Sequence, residues 1–94
     1  SKVLKEISDY VIKKIYSLKS ERIGELIDKD EVIEKGASPL IGNYLNYIFV
    51  YENEDISGIN FMFPNFQVGS NAEGSYEVFV PKKIYEEYLK VSKE

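Results

Sequence analysis

The chain contains no cysteine and no histidine. The first absence excludes disulfides, thiolate nucleophiles and thiolate metal ligands. The second removes the commonest general base near neutral pH and the commonest nitrogen ligand for zinc. Arginine occurs once, as Arg22. No apolar run approaches the roughly 20 residues that cross a bilayer, and charged residues interrupt the first twenty positions throughout. A cytoplasmic protein with no membrane association is the expectation.

Basic residues are also missing from one long stretch. Between Gly36 and Pro81 there is no Lys or Arg, while Glu52, Glu54, Asp55, Glu73 and Glu77 give that segment a charge of −5. Residues 1–20 carry +3, residues 21–35 carry −3 and the last thirteen carry +1, for a net charge of −4. Such an asymmetry predicts an acidic pole and a weakly basic pole, which steers basic partners to one side of the surface.

What is present suffices for one core. With 94 residues, 44% hydrophobic and 30% charged, the chain is expected to be ordered and to form a single domain over residues 1–94. Val3, Leu4, Ile7, Val11, Ile15 and Leu18 recur at helical spacing and predict an amphipathic first helix. Ser20 is a candidate N-cap for a second helical stretch that uses Ile23, Leu26, Ile27 and Ile33 and stops at Gly36 and Pro39. Asp28 with Glu31 also fits a capping box, which would divide that stretch in two, the second part starting near Lys29.

From Tyr44 the pattern changes. The run Tyr44 to Tyr51 is aromatic and β-branched and reads as a strand, with Tyr47, Phe49 and Tyr51 on one side and Ile48 and Val50 on the other. Glu52 to Asp55 forms a polar turn, and Ile56 to Phe63 completes a hairpin ended by Pro64. Phe66 and Val68 are read as a short edge strand before the turn-rich stretch Gly69 to Ser75. Tyr76 to Val80 alternates as a further strand. Pro81 suits the first position of a last helix carrying Ile84, Tyr85, Tyr88, Leu89 and Val91. The predicted fold class is α+β: an N-terminal helical pair, a meander of three to four antiparallel strands and a C-terminal helix. Pro64 to Ser75, rich in Asn, Gly and Ser, is a candidate binding loop.

No residue pattern points to catalysis. Glu52, Glu54 and Asp55 lie within one turn, and Asp28, Asp30 and Glu31 begin like a calcium loop. Neither group has the ligand and glycine spacing a cation loop requires, so no metal or other cofactor is expected. The glycines form no phosphate-binding pattern, and a chain this short rarely holds a water-excluding cleft, so the expectation is that it is not an enzyme.

The aromatic content, eight Tyr and five Phe, points to recognition, since Tyr combines apolar area with a polar tip. We therefore expect a protein-binding module, an inhibitor or regulatory adaptor, meeting a basic protein partner through Tyr51, Glu52, Glu54, Asp55, Glu73 and Glu77. The alternative is a winged-helix-like DNA-binding regulator using Lys2, Lys5, Lys13, Lys14 and Lys19 of the first helix. Its expected wing carries acids that phosphate would repel, so nucleic acid is the less favoured partner. A strand Tyr44 to Tyr51 at a sheet edge would also allow a homodimer.

Overall fold

The computed structural model describes residues 1–92; residues 93 and 94, the end of the expected single domain, lie outside the described residues. It shows the α+β architecture: a long helix α1 (Lys2–Ile23), a short helix α2 (Glu31–Gly36), strands β1 (Tyr47–Glu52), β2 (Asp55–Phe63) and β3 (Tyr76–Pro81), and a short helix α3 (Glu86–Ser92). Turns of 3-10 helix occur at Ile41–Tyr44, Asn71–Glu73 and Lys82–Ile84.

α1 forms because its apolar residues return every three or four positions and nothing interrupts them. Ile7, Val11 and Ile15 are buried, with Val3, Leu4, Ile12 and Leu18 packed at the margins. The Ser1 hydroxyl accepts from Leu4 N–H at one end, and Gly24 closes the other end with φ 85° and its N–H on the Ser20 carbonyl. Ser20 is therefore not the cap of a second helix. No breaker precedes Gly24, so the first helix runs on past Ser20, whose hydroxyl instead takes the N–H of Ile27 at 2.9 Å. Leu26, assigned by the sequence to a helix face, is 84% exposed. α2 begins later than expected because Asp30, rather than Asp28, accepts from the N–H groups of Val32 and Ile33.

The sheet is a three-stranded antiparallel meander in the order β1-β2-β3. Tyr47 pairs with Phe61 and Phe49 with Ile59, and on the other side Phe61 pairs with Val78 and Phe63 with Tyr76. A β-bulge between Val50 and Tyr51 leaves Ser57 without an opposing residue. The strand predicted from Tyr44 starts only at Tyr47, because Tyr44 is drawn into the core. Its hydroxyl donates to the Ala37 carbonyl and its ring meets Phe61 and Phe63 edge-on at 5.2 and 5.6 Å.

A fourth strand at Phe66 and Val68 does not form. Pro64 opens a turn in which Gln67 N–H bonds the Pro64 carbonyl, and Phe66 adopts φ 76°, which no strand contains. The last helix also starts later than Pro81, which ends β3 and precedes the Lys82–Ile84 turn.

All helices gather on one face. Ile7, Val11, Ile15, Ile33 and Ala37 meet Phe61, Phe63, Tyr76, Val78 and Val80 in the core, and α3 packs against α1. The outer face of the sheet carries no element among the described residues. No helix among them is long and apolar enough to cross a membrane.

Candidate binding surface

β1 is an edge strand, and five of its six residues are exposed. α1 packs chiefly against β3, so the inner face of β1 is left half open. Tyr47, Phe49 and Tyr51 on that face are 51%, 46% and 62% exposed, and Ile48 on the outer face is 65% exposed. The Tyr47 and Phe49 rings stack edge-to-face at 5.6 Å, an arrangement that fixes both without burying either. Beside them, between β1 and the start of α1, an apolar groove of about 280 Å³ is lined by Val3, Leu4, Ile7, Ile41, Tyr47 and Phe49, among others.

The hairpin turn sits at the far end of β1. Glu52 pairs with Asp55, and Asn53 and Glu54 form the two-residue loop with φ of 52° and 76°. Positive φ at both loop positions is the geometry whose twist matches a tight hairpin. Glu52, Glu54 and Asp55 are all exposed there, next to Tyr51. Four of the six residues singled out in the sequence are thus contiguous in space.

The other two lie elsewhere. Glu77 faces outward on β3, accepting from the Asn60 amide, and pairs with Met62, seven residues along β2 from Asp55. At about 3.3 Å per residue that is roughly 20 Å from the turn. Glu77 shares the outer face with Ile48, Met62 and Phe79, all exposed.

Glu73 is engaged inside the molecule. Its carboxylate accepts from Ser70 N–H at 2.7 Å and the Tyr76 hydroxyl at 2.8 Å, and lies 3.3 Å from the Lys19 ammonium. Burial opposes its ionisation, but these donors outweigh burial and hold the carboxyl at about 2. Burial and the same carboxylate push the Tyr76 hydroxyl up to about 12.

This network also ties down Pro64 to Ser75, the stretch read as a candidate binding loop. Lys19, a buried residue, reaches Asp30 at 2.5 Å as well as Glu73. Arg22 donates to the carbonyls of Glu73 and Ser75 at 2.6 and 2.8 Å and lies 3.9 Å from the Tyr76 ring centre. The Gln67 amide donates to the Gly36 and Asn43 carbonyls. Of the lysines considered for a DNA-binding helix, Lys19 is therefore enclosed, and Lys5 pairs with Asp9 at 3.1 Å on the surface.

Sequence reasoning missed Leu40, Ile41 and Leu45, which are 65%, 74% and 67% exposed. The signal for Leu40 and Ile41 was there: a connection marked by Pro39 and Gly42 selects wet side chains, and these two are apolar, whereas Leu45 was counted in the strand expected from Tyr44. Among the described residues no group of three or more acidic side chains is placed to hold a metal ion. Compared with protein-family models, curated proteins and solved structures, the chain matches none of them.

Proposed function

We propose that the chain is a protein-binding module, not a catalyst, whose hairpin end engages a basic partner. The carrying observation is the continuity of the exposed Tyr51 ring with the exposed carboxylates of Glu52, Glu54 and Asp55 at the end of an uncovered edge strand. The carboxylates supply steering and salt sensitivity, and the aromatic side chains supply buried area and orientation. Glu77, on the outer sheet face roughly 20 Å from the turn, is not part of this patch. Glu73 supports the reading indirectly, by fixing the loop that leads into β3.

The test compares proteins captured from a source lysate by the wild-type chain and by a Glu52→Lys, Glu54→Lys, Asp55→Lys variant. The reading expects a protein retained by the wild type at low salt, released at moderate salt and absent from the variant. Identical captured sets, or nothing retained by the wild type, would contradict it.

A further inference from the structure

We propose that β1 pairs with β1 of a second copy in antiparallel register centred on Phe49, making one six-stranded sheet. The proposal does not rest on the basic partner: it uses the open backbone edge of β1 and leaves the acidic turns outside, although it covers the Tyr51 ring on which the proposed function also draws.

The register follows from the backbone. Met62 N–H donates to the Asn46 carbonyl, so Asn46, Ile48 and Val50 direct their backbone groups toward β2 and the intervening residues direct theirs away from it. The N–H and C=O groups of Tyr47, Phe49 and Tyr51 therefore face the open edge. A two-fold axis at Phe49 sets Phe49 against its twin and Tyr47 against Tyr51 of the second copy, so every one of those groups is paired. Shifting the axis by one residue in either direction moves one end of this ladder out of the strand.

The side chains agree with that register. Across the axis Tyr47 faces Tyr51 and Phe49 faces Phe49 on the inner side, and Ile48 faces Val50 on the outer side. These are the aromatic and branched pairs that stabilise neighbouring strands. The edge also lacks protection: Tyr47 to Tyr51 contains no Lys, no Pro and no charge. Seven of the fourteen exposed large hydrophobic side chains among the described residues fall between Leu40 and Tyr51.

Charge arrangement selects a second copy over an unspecified strand. With the axis at Phe49, each turn lies about four residues from it, so the two acidic clusters stand roughly 27 Å apart, beyond a Debye length of about 8 Å. Glu52 then lies opposite the uncharged Asn46. The apolar grooves beside Tyr47 and Phe49 in the two copies come to face each other across the axis. At roughly 100 Å² for each of Tyr47, Ile48, Phe49 and Tyr51, plus backbone, the pair removes on the order of 1,000 Å², the low end for specific interfaces. The dimer is accordingly reversible.

Because the chain has no cysteine, single substitutions report the register directly. In this register Phe49→Cys places two thiols on Cα atoms about 5.5 Å apart, within disulfide range. It should therefore cross-link to itself under mild oxidation, and a mixture of Tyr47→Cys and Tyr51→Cys chains should cross-link to each other, whereas Ile48→Cys should not. Sedimentation of the wild-type chain should show a monomer–dimer equilibrium, and Phe49→Lys, with like charges opposed on the axis, should weaken association at least about tenfold. A monomer at every concentration, or Ile48→Cys cross-linking as readily as Phe49→Cys, would overturn the proposal. The cross-linking result stands even if Phe49→Lys fails to fold.

Discussion

The ammonium of Lys19 stands 3.3 Å from the carboxylate of Glu73 and 2.5 Å from that of Asp30, joining the long helix to the cap of α2 and to the loop before β3. Burial disfavours the charge on Lys19, but its bonds to Asp30 and Glu73 prevail and raise its pKa. The three groups hold their charges together.

Removing the cation should leave two carboxylates facing each other in a poorly hydrated place. Lys19→Met is expected to cost about 2 to 3 kcal/mol, less than for a fully enclosed pair because both carboxylates retain some water. Urea unfolding measures it.

The same cluster sets an acid limit. Glu73 titrates at about 2 in the fold against an ordinary 4.5, and the Asp30 pKa is lowered as well: burial opposes the shift, and the Lys19 bond overcomes it. A carboxyl depressed by folding contributes stability that is complete above its unfolded pKa and is lost as pH falls toward the folded one. Stability should therefore fall from about pH 4.5 down to about pH 2, and Glu73→Gln should flatten that decline while lowering stability near neutrality. Denaturant midpoints across this range give the slope.

Arg22 predicts a non-conservative response to Lys. One terminal nitrogen, Nη1, donates to both carbonyls while the flat guanidinium lies over the Tyr76 ring, and a compact ammonium cannot hold both contacts at once. Arg22→Lys should cost about 1 to 2 kcal/mol, seen as a lower denaturant midpoint with unchanged circular dichroism.

At Gly36 a methyl group would overlap the Gln67 carbonyl oxygen, a backbone atom that cannot swing aside. Gly36→Ala should separate α2 from the 64–75 loop and cost roughly 1 to 3 kcal/mol. The same thermal or urea measurement checks it.

Much of this fold can be read from local pattern. The stripe through Ile7, Val11 and Ile15, the alternation of Tyr76, Val78 and Val80, and the acidic hairpin turn all lie on the page as period and punctuation. Where the reading failed, long-range contacts outweighed local preference. Tyr44 has strand character, yet the Ala37 carbonyl and two Phe rings hold it in a 3-10 turn. Pro64 to Ser75 has loop composition, yet Lys19 and Arg22 bind it from the long helix and its own Gln67 anchors it to the Gly36 and Asn43 carbonyls. Glu73 looked like its acidic neighbours because composition cannot tell a solvated carboxylate from one already paired. The exposure of Tyr51 and the turn acids was legible because β1 lies at the sheet edge and local character survives there.

Amide hydrogen exchange on the captured complex, at one fixed chain concentration with and without partner, tests the central claim most directly. The account predicts that exchange slows across residues 47–55 when the partner binds. Unchanged exchange there, with slowing confined to α1 and α3, would contradict it.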